Sequence, residues 1–122
     1  MAHLINLKTF VDERGSLTVI EKVIPFVIKR IFYIYGVDGS IRGQHRHFKT
    51  RHAVISIRGT CTIYNNNGEK EEIFQLDRPN QCLILEPEDW HSMYNFSADS
   101  ILIVFASEYF DDNDYIREPY SK

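Results

Sequence analysis

Apolar and polar residues alternate along this chain in short runs, and turn residues interrupt nearly every run. Such period-two alternation places successive side chains on opposite faces of an extended strand. Leu4–Phe10 alternates loosely, and Asp12-Glu13-Arg14-Gly15 forms a turn leading into Ser16–Glu21. Pro25 precedes Phe26–Tyr35, a run of isoleucine, valine and aromatic residues, and Gly36–Ser40 reads as a loop. Ala53–Ile57 is apolar and ends at a turn, Arg58-Gly59. Thr60–Tyr64 and Glu71–Leu76 flank Asn65-Asn66-Asn67-Gly68, read as a turn and nothing more, because Asn-Gly is a strong hairpin signal. Asp77–Gln81, with Pro79, is another turn, and Cys82–Leu85, Met93–Phe96 and Ser100–Ala106 complete about nine or ten strands. Only the stretch near Tyr109–Arg117 has room for a helical turn. Long amphipathic helices between the strands are missing, which excludes a parallel α/β fold. The pattern predicts an all-β, antiparallel double-sheet barrel of the jelly-roll kind.

The chain has 122 residues and no linker, repeat or low-complexity stretch, so residues 1–122 are read as a single domain. An apolar fraction of 43% and a charged fraction of 25% are ordinary for a globular protein. A net charge of −3 and a pI near 5.9 suggest no nucleic-acid or membrane partner, yet they leave room for a local anion site built from arginine. No apolar run approaches the ~20 residues of a membrane span. The first residues lack the apolar segment and cleavage site of a signal peptide. Cys61 and Cys82 each fall inside a strand-like run, as buried thiols rather than a disulfide. The expectation is a cytoplasmic protein.

The chemistry-bearing residues are concentrated in Arg42-Gly43-Gln44-His45-Arg46-His47 and Asp89-Trp90-His91. Of the five histidines, His3 lies near the N-terminus, and His45, His47, His52 and His91 fall in these two regions. His45 and His47, one residue apart on a strand, share a face. If the fold brings His91 opposite, the imidazoles can move protons near neutral pH or hold a metal. The order Gly39, His45, His47, His52, Gly59 resembles the first motif of the cupins, and Pro87, Asp89, His91, Asn95 resembles a degenerate second motif. The expected fold is therefore a single-domain cupin, a double-stranded β-helix. In metal-binding cupins the position of His52 is usually glutamate. Asp89 is read as a turn cap, with orientation of His91 as its other possible use. Arg42 and Arg14 are candidates for phosphate contacts, since a planar guanidinium suits a diphosphate. Lys29 and Arg30 fall on opposite faces of one strand, so at most one faces a ligand; Lys29 is taken as the candidate. Tyr33 and Tyr35 share the face opposite Ile34 and offer a candidate pocket hydroxyl.

A closer resemblance runs along nearly the whole chain. Its residues are Asp12-Glu13-Arg14-Gly15-Ser16-Leu17, Ile24-Pro25-Phe26, Ile28-Lys29-Arg30, Tyr33-Ile34, Arg42-Gly43-Gln44-His45-Arg46-His47 and Gly59-Thr60-Cys61. It continues through Trp90-His91, Asn95-Phe96-Ser97, Ala106-Ser107-Glu108-Tyr109-Phe110 and Asp114-Tyr115-Ile116-Arg117. With these blocks the chain resembles the TDP-4-keto-6-deoxy-D-glucose 3,4-ketoisomerases, WxcM-like or RmlC-like cupin sugar-nucleotide isomerases. The resemblance implies ketone migration from carbon 4 to carbon 3 of a TDP-linked 4-keto-6-deoxyhexose, in deoxy- and amino-sugar biosynthesis for surface polysaccharide. It implies no metal or other cofactor, and a homodimer that exchanges an N-terminal strand. Its principal acid/base maps to His47, with His45 assisting and His91 facing the same pocket, while arginines at the barrel mouth hold the diphosphate. The chain departs from the family in carrying Arg46 and Phe48 around His47, and in His52, where glutamine is usual. That third imidazole leaves a divalent-metal cupin enzyme built on His45, His47, His52 and His91 as the rival reading. A sugar-nucleotide epimerase and a non-catalytic sugar-binding cupin are further alternatives.

Overall fold

The computed structural model describes residues 1–121. Its strands are β1 (His3–Asn6), β2 (Lys8–Asp12), β3 (Gly15–Val19), β4 (Arg30–Tyr35), β5 (Arg42–His47), β6 (His52–Arg58), β7 (Cys61–Asn66), β8 (Glu71–Leu76), β9 (Gln81–Leu85), β10 (Trp90–Tyr94), β11 (Ile101–Ala106) and β12 (Tyr115–Ile116). A five-stranded sheet runs β1-β9-β6-β11-β4, a second runs β12-β5-β10-β7-β8, and β2-β3 forms a separate hairpin. Every pairing is antiparallel. This is the all-β, antiparallel double-sheet jelly roll that the alternation predicts, and the fold that the cupin resemblance implies.

The two sheets close on one core. Val54, Leu83, Leu85, Leu102 and Val104 of the first sheet pack with Cys61, Ile63, Leu76 and Met93 of the second. A further apolar layer covers the opposite face of the first sheet, where Ala53, Ile55, Cys82, Ile84 and Phe105 meet Leu7, Ile24 and Phe26. β6, β9 and β11 are thus buried on both faces, which explains why they read as continuous apolar runs rather than as alternation. The same layer explains why β4 starts only at Arg30. Ile24 and Phe26 lie across the sheet instead of extending it, although Lys29 N–H still donates to the Ala106 carbonyl at 2.9 Å. Cys61 and Cys82 are free, buried thiols, each pushed up to about 11 by desolvation.

Two local expectations change, and the expected helical turn in the tail is found. β10 begins at Trp90, ahead of the apolar run at Met93, because Trp90-His91-Ser92 pairs with β7 without an apolar period to announce it. Asn65 and Asn66 belong to β7, and the turn itself is Asn67–Lys70, closed by the Asn67 side chain, which accepts from the Glu69 and Lys70 N–H groups. β12 is only two residues long and follows a single 3-10 turn at Asp112–Asp114, within the tail segment expected to hold a helical turn.

Candidate active site

The site forms where β5, β10, β12, β4 and β6 converge. β5 and β10 pair irregularly: His91 lies opposite His45 and Ser92 opposite Gly43, with a register shift between His91 and Ser92. Gln44 is the extra residue, and Gly43 and Gln44 both adopt left-handed backbone, at φ 81° and 64°. This bulge lets β5 bend while keeping His45 and His47 on the inner face. Glycine is required at position 43, since a Cβ there would sit 3.0 Å from the His91 carbonyl oxygen and 3.3 Å from its ring. Gly43→Ala is expected to lower stability by about 1–3 kcal/mol through left-handed strain and this clash. An unchanged melting temperature in a thermal scan would refute that.

Four imidazoles surround the inner end of the site. The rings of His45 and His91 are 5.0 Å apart, those of His45 and His47 4.9 Å, and those of His47 and His52 4.7 Å. His45 Nδ1 meets the Gly43 carbonyl at 3.0 Å and His91 Nδ1 meets the Asp89 carbonyl at 3.1 Å. A carbonyl only accepts, so both rings carry hydrogen on Nδ1 and leave Nε2 as the free base. His47 differs. Its Nδ1 lies 3.0 Å from Asp114 Oδ2, and Asp114 also accepts from the Lys49 N–H at 3.0 Å and from the Thr50 hydroxyl. Burial disfavours charge on the Asp114 carboxyl, but those donors outweigh it and hold it ionised below the usual carboxylate range.

All four histidines are held neutral. Desolvation, with His91 and His47 nearby, brings His45 down to about 3. Desolvation brings His91 to about 4, and pushes His52 well below its ordinary value, with the other three histidines adding to the effect. Desolvation also lowers His47, but Asp114 acts against it. His47 is the ring with a carboxylate to receive its charge.

A cavity of about 210 Å³ opens over this cluster. His45, His52, His91 and Tyr115 line its polar wall, Phe32, Ile34, Val54 and Met93 its apolar wall, and Arg30 and Arg42 contribute to it as well. The structure thus brings His45, His52, His91 and Arg42 together as expected, with His47 packed behind His45 and Tyr115. Four expectations are corrected. Lys29 points to Glu108, 3.6 Å away, and to the Tyr109 ring; its neighbour Arg30 faces the cavity, as strand alternation requires. Tyr33 and Tyr35 stack on each other on the outer, exposed face of β4, because Phe32 and Ile34 hold the inner one. Arg14 sits at the tip of the β2-β3 hairpin, bound to Asp12 at 2.6 Å, and does not line the cavity of its own chain.

Sequence reasoning gave no role to Asp114 or Tyr115, and took Lys29 where Arg30 is the one of that pair that faces the cavity. Asp114 and Tyr115 lie inside a family block, but strand periodicity gives neither residue a use. Asn65, dismissed as turn, is buried and donates from Nδ2 to Asp89 Oδ1 at 2.9 Å. Asp89 Oδ2 accepts the Glu86 N–H at 2.7 Å, so Asp89 caps this turn with its carboxylate while its carbonyl orients His91.

Among the described residues, no group of three or more His, Cys, Asp or Glu side chains has metal-holding geometry. The His52 and His91 rings are 6.4 Å apart.

A family model described as FdtA: WxcM-like, C-terminal, matches residues 1–121. A TDP-4-oxo-6-deoxy-alpha-D-glucose-3,4-oxoisomerase from Aneurinibacillus thermoaerophilus is 41% identical over 118 residues, covering 94% of this chain and 85% of that protein. A 3,4-ketoisomerase from Helicobacter canadensis superposes with a TM-score of 0.91 at 38% identity, over 96% of this chain and 90% of the other. A mutant of the 3,4-ketoisomerase QdtA from Thermoanaerobacterium thermosaccharolyticum, in complex with TDP-4-keto-6-deoxyglucose, gives a TM-score of 0.91 at 39% identity, over 96% and 87% of the two chains.

Proposed function

The chain belongs to the FdtA, WxcM-like family, and from that premise we propose that it is a sugar-nucleotide 3,4-ketoisomerase that converts a TDP-4-keto-6-deoxyhexose to its 3-keto isomer through an enediol. The observation that carries this reading is His47 on Asp114, set among three further neutral imidazoles at one cavity. Ketone migration needs a group that removes the proton from carbon 3 and returns one to carbon 4, while the hydroxyl proton passes from oxygen 3 to oxygen 4. A base that is neutral at working pH and has a stabilised conjugate acid suits both halves. His47 is that centre. His45 and His91 carry Nδ1–H bound to backbone, so their Nε2 atoms accept the hydroxyl proton and hand it on. Tyr115, whose ring lies 4.7 Å from those of His45 and His47, places a phenol at the cavity for the developing enediolate oxygen.

Arg30 and Arg42 supply the anion site. Neither has a carboxylate within salt-bridge distance among the described residues, and the Arg30 guanidinium lies over the Phe32 and Phe110 rings at 4.5 and 5.2 Å. Two uncompensated guanidiniums beside a small cavity suit a diphosphate. Arg42→Ala is expected to raise KM by about 10–100-fold with kcat changed by less than about threefold, the signature of lost uniform binding. A fall in kcat at unchanged KM would remove Arg42 from this role.

The reaction proceeds without metal or another cofactor in this proposal. The protein is a cytoplasmic homodimer, supported by two unpaired thiols and by the apolar side chains exposed on the hairpin and on β4, namely Phe10, Val11, Leu17, Ile31, Tyr33 and Tyr35. Among the described residues β1 is an edge strand bonded only to β9, so exchanging it with a second copy would keep every one of its ladder bonds. Among the described residues, no helix is long and apolar enough to cross a membrane. Light scattering is expected to give twice the 14.4 kDa chain mass; a monomer mass sinks the dimer. The decisive assay incubates chelator-treated protein with TDP-4-keto-6-deoxyglucose in D₂O. Proton NMR should show loss of the carbon-3 proton signal and growth of a 3-keto product. Exchange at carbons 3 and 5 without ketone migration would identify an epimerase instead.

A further inference from the structure

The tail beyond β12 makes contacts that the reaction itself does not use. Arg46 and Trp90 point to the outer face of the second sheet, since strand alternation puts their neighbours His45, His47 and His91 inside. β5 lies between β12 and β10 in that sheet. After β12 the chain turns back over this outer face. The Trp90 indole N–H donates to the Arg117 carbonyl at 3.1 Å, and the Tyr120 hydroxyl donates to the Glu88 carbonyl at 2.8 Å. The Arg46 guanidinium lies 4.4 Å from the centre of the Tyr120 ring, which also packs on the β7-β8 turn, where a Cβ at Gly68 would meet it at 3.2 Å. Arg46 Nε is buried without a hydrogen-bond partner among the described residues, so this guanidinium rests on a ring face.

β12 has little of its own to hold it. It pairs with β5 through two residues, Tyr115 opposite His47 and Ile116 opposite Arg46. Yet Asp114, which fixes the hydrogen on His47 Nδ1, and Tyr115, which lines the cavity, both depend on where it lies. We propose that residues 117–120 form a strap across β5, and that Arg46, Trp90 and Tyr120 are positioning residues that hold Asp114 and Tyr115 against His47 through it. Arg46 is a point at which this chain departs from its family, and the clasp on Tyr120 gives that departure a use. The purpose of the strap rests on the ketone-migration reading; its contacts do not.

The strap matters because His47 relies on a single anion. His45 on β5, His52 on β6, His91 on β10, Tyr115 on β12 and Arg30 on β4 face its ring. Among the described residues Asp114 alone brings negative charge to it, and works against the desolvation that lowers it. A loosened strap lets β12 and the turn before it leave β5 for part of the time. The imidazole then loses its acceptor, becomes a weaker base and is no longer fixed in one tautomer. Arg30 on β4 and Arg42 at the start of β5 keep their places, so the anion site survives. The expected signature is a loss in kcat without a matching change in KM.

The test compares the wild type with Tyr120→Leu, which removes the ring from Arg46 and the hydroxyl from Glu88. kcat for ketone migration should fall about tenfold, within what a small misplacement of a catalytic group costs, with KM changed by less than about threefold. ¹H–¹⁵N NMR of the ¹⁵N-histidine-labelled protein without substrate should show His47 titrating at lower pH than in the wild type. Adding Arg46→Ala to Tyr120→Leu should cost little more, because both changes break one contact. Trp90→Phe keeps an aromatic ring against Tyr64 and loses only the donor to Arg117. It should move kcat and the His47 titration in the same directions, and it decides the matter if Tyr120→Leu does not fold. An unmoved His47 titration overturns the strap whatever happens to kcat, because a general loss of stability would lower kcat too. A wild-type kcat in a variant that isomerises, or additive losses from Arg46 and Tyr120, overturns it as well. A His47 titration that moves as expected in a protein that moves no ketone would leave the strap standing and remove the isomerase reading.

Discussion

Replacing His47 with asparagine lowers kcat for ketone migration by about 10²–10⁴-fold, the range a positioned proton carrier supplies, and leaves KM for the TDP-sugar within about threefold. The substitution is chosen for what it preserves. Asparagine is polar and smaller than histidine, and its amide can donate to Asp114 in place of the imidazole. Asp114 also keeps the Lys49 N–H and the Thr50 hydroxyl, so the buried carboxylate is not left bare and the β5–β12 junction survives. What asparagine cannot do is accept a proton at neutral pH. Arg30 and Arg42 are untouched, so binding should persist while exchange at carbon 3 stops. A variant that binds TDP and still exchanges that proton at the wild-type rate would take His47 out of the mechanism. Asp114→Asn should give a smaller loss, since it removes the charge that stabilises the imidazolium but leaves the ring in place.

The fold and half of the site are legible in the sequence alone, and the reasons differ by element. β8, from Glu71 to Leu76, falls where its alternation places it, because one face is solvated and the other is core. β4 is misread at its start because Ile24 and Phe26 are apolar for a reason unrelated to strand pairing: they roof the outer face of the first sheet. His45 and His47 share a face by strand period alone, and the bulge at Gly43-Gln44 preserves that order. Period-two reasoning also states that only one of Lys29 and Arg30 enters the cavity, but it does not say which. The phase is set by Phe32 and Ile34, whose inward packing commits Arg30 inward and Tyr33 and Tyr35 outward. Asp114 could not be read at all from local pattern. It reaches His47 only because a 3-10 turn and a two-residue strand fold the tail back along β5, with Tyr115 opposite His47. Nothing about periodicity signals a contact that one turn and one bridge create.

The same burial that keeps four imidazoles neutral makes the protein acid-sensitive, and the sign follows from linkage. Unfolded histidines titrate near pH 6.5. In the folded chain His91 falls to about 4, His45 to about 3, and His47 and His52 also lie below the unfolded value. Below pH ~6.5 the unfolded chain therefore binds protons that the native chain refuses, and stability falls as pH falls. Each such group removes up to about 1.4 kcal/mol per pH unit between its two pKa values. For fully buried His91 alone the loss between neutrality and pH ~4 is on the order of 3 kcal/mol; half-buried His45 contributes less than its shift suggests, because water screens it. Against a typical total of about 5–15 kcal/mol, the cluster consumes much of the margin. Asp114, held below the ordinary carboxylate range, adds its own loss only once the pH drops through the unfolded carboxylate value, below the histidine window. The expected result is a melting temperature that declines steeply from pH ~6.5 to pH ~4, with proton uptake on unfolding. His52→Gln should flatten the slope by about one proton, since glutamine does not titrate. A melting temperature unchanged across that window would mean that the imidazoles are already charged or solvated in the native state. They would then be poor bases for the enediol chemistry as well, so one acid titration tests the stability argument and the catalytic one through the same four rings.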